Sequence, residues 1–203
     1  AQKTGLNPKY LHEWLGSNAA AGYVTYDPET EIFSLTPEQA LVFTREGQPA
    51  CMQGFLQSVL SQFETHEKAV ETFKSGRGRP WGEHAPGCFC GTDRFFRPGY
   101  VANLLDRWLP SLDGVVAKLK EGGKVADIAC GHGSSTILLA QAFPKARIFG
   151  FDFHEPSIEA ARRKAAEAGV TNIEFHVARA KDFPGADYDL ACFFDALHDM
   201  GDP

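Results

Sequence analysis

From Lys124 onward the chain alternates two textures, and its first apolar run empties into a glycine-rich turn. The segments KVADIA, ARIFGFD, NIEFHVA and YDLACFFDAL read as buried-type strands. Between them, SSTILLAQAF and EPSIEAARRKAAEAG have helical spacing, the second with Pro156 near its start and Gly169 past its end. Strands that alternate with helices build a parallel sheet through right-handed crossovers. The expected fold class is therefore α/β, a Rossmann-like doubly wound parallel sheet. A composition of 43% hydrophobic and 23% charged residues supplies enough apolar surface for such a core.

The turn VADIACGHGSS lies where the first strand passes into the first helix of this region. Gly131 and Gly133 let the backbone turn sharply and let a ligand approach it closely. The helix start at Ser134 and Ser135 offers unpaired N–H groups. The second strand ends at Asp152, about 20 residues on, where a carboxylate can accept hydrogen bonds from both hydroxyls of a ribose. Two ligand classes fit. A dinucleotide site wants a third glycine, and Thr136 stands there instead, which argues against NAD and a nucleotide-dependent oxidoreductase.

The stretch DIACGHG resembles the first motif of class I S-adenosylmethionine-dependent methyltransferases, commonly D-x-G-C-G-x-G. Asp127, Cys130, Gly131 and Gly133 match, and Ala129 replaces the first glycine. FGFDFH resembles the second motif, with Asp152 on the ribose and Phe153 beside it. VARAKDFP resembles the third, in which Ala180 supplies a backbone contact and Asp182 reaches the adenine amino group; Arg179 stands where an acid is common. The resemblance covers Lys124 to Pro203. It implies S-adenosylmethionine as cofactor, held by Asp127, Ala129, Gly131, Gly133, Asp152, Phe153, Ala180, Asp182 and Phe194. Near the end of the chain, Leu197-His198-Asp199-x-x-Asp202 is similar to the L-H-D-W-x-D stretch of O-methyltransferases that carry an N-terminal winged helix, with Met200 in place of the tryptophan. In that family the histidine is the general base, and it maps to His198. A phenol, with a pKa of about 10, is a poor nucleophile while protonated; an imidazole of pKa about 6.5 can take its proton at neutral pH.

Residues 1–35 read as turn, helix and hairpin. Asn7 caps a helix with Pro8 at its first position. Tyr10, Leu11, Trp14 and Leu15 share a face, Gly22 ends the helix region, and Asp27-Pro28 occupies the hairpin turn. This is most of a winged helix, whose opening helix would precede Ala1. Residues 36–123 are expected to be a helical connector that contributes to a substrate pocket. Thr36, Pro37 and Gln39 form a capping box. The run 52–76 carries one helical stripe at Phe55, Leu56, Val59, Leu60 and Phe63. The Gly- and Pro-rich run 75–100 is expected to be a long loop, whose Trp81, Phe96 and Tyr100 could roof a pocket. A helical stretch broken at Pro110 follows. His84, Cys88 and Cys90 match no common metal spacing, so no metal is expected.

The formal net charge of −6 does not suit a protein that grips phosphates. Residues 1–35 set only Lys3 and Lys9 against Glu13, Asp27, Glu29 and Glu31, and the wing itself is acidic. A nucleic-acid partner is therefore not expected. The resemblance instead implies a homodimer through the winged helix. Five cysteines at no disulfide-scaffold spacing are read as reduced thiols of a cytoplasmic protein, with no signal peptide and no apolar run of membrane-spanning length. The expected partner is a small, apolar, hydroxyl-bearing methyl acceptor. The alternative is a winged-helix regulator or ligand sensor that uses the same pocket without chemistry. The segment 124–203 is expected to be a truncated domain of a longer protein, since a sheet of four strands leaves an open edge.

Overall fold

Asn7 accepts the backbone N–H of Lys9 on its side chain and so opens α1, Pro8–Ala20, of the computed structural model, which describes residues 1–200. Gly22, with φ 80°, turns the chain out of that helix. The strands β1 (Thr25–Asp27) and β2 (Ile32–Ser34) pair antiparallel, and Asp27 braces the turn by accepting from Glu29 N–H and the Thr30 hydroxyl. Thr36 and Gln39 cap α2, Pro37–Phe43, reciprocally. These elements lie in a first compact unit, Ala1–Gln53.

The second unit, Gly54–Pro203, holds the sheet. Its helical front refines one expectation and corrects another. The run 52–76 is two helices, α3 (Gln53–Glu64) and α4 (His66–Ser75), because Thr65 turns its hydroxyl back onto the Ser61 carbonyl and the helix restarts. The run 75–100 is a loop only as far as Ala85. From Pro86 it is the longest helix of the chain's described residues, α5, Pro86–Asn103. Gly91 in this helix serves contact, not flexibility. A Cβ on Gly91 would lie 2.4 Å from the Ser58 hydroxyl oxygen, and one on Gly54 would lie 2.4 Å from the Phe95 nitrogen. The backbones of α3 and α5 thus touch where a side chain would hold them apart. A π-helical turn (Leu104–Trp108) and a 3-10 turn (Leu109–Ser111), containing Pro110, then lead to α6, Val115–Glu121.

The sheet follows as the alternation requires: β3 (Lys124–Ile128), α7 (Ser134–Ala142), β4 (Arg147–Asp152), α8 (Glu155–Glu167), β5 (Ile173–Val177) and β6 (Leu190–Phe193). All pairings are parallel, in the order β5-β4-β3-β6, with Asp127 opposite Gly150 and Cys192. The direction of strand order reverses beside β3, and a ligand crevice is expected there at the carboxyl edge. Successive residues of β3 and β4 serve opposite faces. Val125 and Ile148 join Leu139, Phe143, Leu119, Leu104 and Leu109 in one core. Ala126, Ile128, Phe149 and Phe151 join Phe183 and Tyr188 in another. Leu104 and Leu109 belong to the connector, so it shares its core with the sheet. Among the described residues no helix is long and apolar enough to cross a membrane.

Candidate functional site

Within the second unit a cavity of about 830 Å³ opens over the carboxyl ends of β3, β4 and β6. Its floor is the turn Ala129–His132. Ala129 (φ 58°) and Gly131 (φ 52°) both hold left-handed backbone. A Cβ added to Gly131 would meet no atom within 4 Å, so that side of the turn stands open. Asp152 is 5% exposed and already oriented: the N–H of Gly131 donates to its Oδ2 (2.9 Å) and the N–H of His154 to its Oδ1 (2.8 Å). Each oxygen keeps a second lone pair, and the residue lines the cavity. Burial pushes the Asp152 carboxyl up, and the two N–H groups pull it back.

Of the residues singled out from the sequence, Ala129, Gly131, Asp152, Phe153, Ala180 and Phe194 line this cavity, together with Trp81, Phe96 and Tyr100. Four others do not. Asp127 is 1% exposed beneath the turn; its Oδ2 accepts the hydroxyls of Ser135 (2.7 Å) and Thr136 (2.6 Å), and its Oδ1 has no partner. Burial raises its carboxyl to about 6 against those two hydrogen bonds. Thr136 thus stands in the third-glycine position as a donor to Asp127. Gly133 faces β5 and α8: a Cβ there would lie 2.7 Å from Phe175 and 3.0 Å from Ala161. Asp182 is exposed, and the cavity wall beside Ala180 is made by Ala178, Arg179 and Lys181. His198 also lies off the lining, its side chain 63% exposed and flanked by Asp195 (3.7 Å) and Asp199 (3.3 Å), both of which do line it. Asp202 lies outside the described residues.

Among the cavity walls, Asp93 and His132 are two that the sequence reading passed over. Phe89 stacks on His154 at 4.2 Å between ring centroids, and Trp81 meets Phe89 edge-on. Tyr100 packs against Phe194, and burial pushes its phenol up, so it is a hydrogen-bond donor at neutral pH. His132, on the turn, is held below its ordinary value by burial and then by Lys164, with Asp93 acting against them. Asp93 accepts from the Ser134 hydroxyl and from Lys164 Nζ, each at 2.5 Å. The signal for this wall lies in the spacing 89, 93, 96, 100, which is one face of a helix. Among the described residues no group of three His, Cys, Asp or Glu could hold a metal.

Residues 119–203 match the family model described as a methyltransferase domain, and residues 1–45 match that of an Rv2258c-like winged HTH domain. The mitomycin 7-O-methyltransferase MmcR is similar in structure, with a TM-score of 0.63 at 18% identity over 98% of this chain and 60% of that one. An O-methyltransferase family protein of Burkholderia thailandensis has a TM-score of 0.57 at 16% identity over 90% of this chain and 54% of that one. At such identities the likeness is one of fold. By sequence, a tRNA (guanine-N(7)-)-methyltransferase of Shewanella halifaxensis is 36% identical over 72 residues, 36% of this chain and 30% of the relative. A demethylmenaquinone methyltransferase of Bacillus velezensis is 36% identical over 73 residues, 36% of this chain and 31% of the relative. The chain therefore spans about a third of these curated relatives and under two thirds of the solved structures. The two relatives are named for different acceptors. Residues 119–203 thus match a methyltransferase domain and have a Rossmann-like fold, and residues 1–45 match a winged HTH domain.

Proposed function

We propose that the protein transfers the methyl group of S-adenosylmethionine to a small, apolar, hydroxyl-bearing acceptor, and that it does so as a homodimer joined through residues 1–35. The observation that carries the donor half is Asp152, buried, pre-oriented by two backbone N–H groups and set on a cavity whose floor is open, left-handed backbone. Those features fit a ribose, with Phe153 and Ala180 beside the base. The bound cofactor supplies an electrophilic methyl on a sulfonium. The chain's own residues then hold the acceptor in line, exclude water and remove a proton. Alignment alone is worth roughly 7–11 kcal/mol. Trp81, Phe96, Tyr100 and Phe194 supply the apolar wall that favours a flat, apolar acceptor. His198 is the proton acceptor in this reading. It stands in the segment 195–200 that walls the cavity, and Asp195 and Asp199 would share the proton it takes. A residue in that role contributes ~10²–10⁴-fold.

Calorimetric titration with S-adenosylhomocysteine and NAD tests the donor half. Micromolar binding of the first alone, lost in Asp152→Ala, is expected; a preference for NAD would overturn the reading. His198→Ala is expected to bind S-adenosylhomocysteine as the parent does and to lose roughly 10²–10⁴-fold in turnover on a phenolic acceptor. Full turnover would remove His198 as the base.

A further inference from the structure

The Asp93 carboxylate is 12% exposed and belongs to α5, before the start of the matched methyltransferase domain at residue 119. It reaches into that domain. Its Oδ1 accepts from the hydroxyl of Ser134, the first residue of α7, and its Oδ2 from Lys164 on α8. Asp93, Ser134 and the neighbouring His132 all line the cavity, while Lys164 holds Asp93 from behind it. A partly buried ion pair of this kind gains little as a clamp, because the desolvation of its charges offsets much of their attraction. Each Asp93 oxygen keeps a lone pair beyond the bond it already accepts.

The sheet sets what passes this point. A ligand whose ribose rests on Asp152, at the end of β4, and which extends along the carboxyl edge toward β6 crosses the end of β3 and the first turn of α7. S-adenosylmethionine carries an α-carboxylate and an α-ammonium at its far end. The unpaired N–H groups of the first turn of α7 suit the carboxylate. They cannot serve the ammonium, which needs an acceptor. Asp152 is committed to the ribose, and Asp195 and Asp199 flank His198. Among the described residues Asp93 is the remaining carboxylate on the cavity wall, and it sits beside that turn.

We propose that Asp93, held by Ser134 and Lys164, accepts the α-ammonium group of the methyl donor, so that the connector helix completes the donor site. The inference rests on the cavity taking S-adenosylmethionine. Its test uses two ligands, S-adenosylhomocysteine and 5′-methylthioadenosine, which has the nucleoside and the sulfur but no amino-acid end. In calorimetric titrations the parent binds the first more tightly than the second. Asp93→Asn weakens S-adenosylhomocysteine roughly 10- to 100-fold, the range of a lost charge-assisted hydrogen bond, and leaves methylthioadenosine unchanged. Ser134→Ala, which removes one of the two groups holding Asp93, shifts the same ligand in the same direction by a smaller factor and keeps the test open if the Asn variant does not fold. Equal weakening of both ligands would make Asp93 a clamp between helices and overturn the proposal. Unchanged S-adenosylhomocysteine affinity in both variants would overturn it too. A parent that binds neither ligand would instead overturn the cofactor reading, and this proposal with it.

Discussion

Ala129 occupies left-handed backbone, φ 58°, at the position where the resembling family carries glycine. A Cβ there costs roughly 1–2 kcal/mol against the following carbonyl. Replacing it with glycine also loosens the unfolded chain, which returns about 0.4–1 kcal/mol of that gain. Ala129→Gly is therefore expected to stabilise the protein by about 0.5–1 kcal/mol. Urea unfolding should show this as a higher midpoint at unchanged slope. A lower midpoint would mean that the methyl group makes a packing contact worth more than the strain. Asp195, φ 52°, is a second non-glycine residue in this conformation on the cavity wall. Strained backbone of this kind gathers at functional sites, where the surrounding structure holds it in place.

At the scale of elements, the site depends on how closely α5 approaches α3. The two helices meet at Gly54, Ser58 and Gly91 with no room for a side chain, and α5 carries Phe89, Asp93, Phe96 and Tyr100 onto the cavity. Gly91→Ala puts a carbon 2.4 Å from the Ser58 hydroxyl oxygen and 2.6 Å from its backbone nitrogen. The helices must part, at about 1–3 kcal/mol. Alanine is the better helix former, so an isolated α5 would gain from this change. A loss of stability in thermal or urea unfolding therefore reports the crossing and not the helix. The sheet is less sensitive to such local changes, since two cores, one on each face, fix its register.

For the whole molecule, the winged-helix unit and the sheet-bearing unit have different demands. The second has a buried apolar core on each face of the sheet. In the first, Tyr10 is 75% exposed and Trp14 60% exposed, on a helix with no buried residue. Large exposed aromatics at helical spacing suit a protein surface better than they suit DNA, and the acidic balance of residues 1–35 points the same way. The proposed dimer through this unit predicts a light-scattering mass of about twice 22.2 kDa for this chain, reduced to the monomer value by Trp14→Glu. A monomeric parent would remove the dimer reading.

The α/β alternation, the glycine turn and the carboxylate at the end of the second strand are all legible in the amino-acid order. Each of these is local: strand period, helix caps and the left-handed demand of a tight turn act over a few residues, so they can be read off in order. Asp152 and Gly131 are legible for that reason. The tertiary structure decided everything that depends on distance between elements. The run 75–100 is rich in glycine and proline, and its residues look like loop formers; packing against α3 makes Gly87 and Gly91 contacts between helices, which no local propensity records. With the helix hidden, Asp93, 41 residues before Ser134, carried no sign of the bond between them. Asp127 and Gly133 matched a motif, yet only the packing of α7 against α8 and the sheet places them beneath the turn, off the cavity lining. Periodicity reports how a segment meets its own neighbours, and the site is made where segments that are far apart in the chain meet each other.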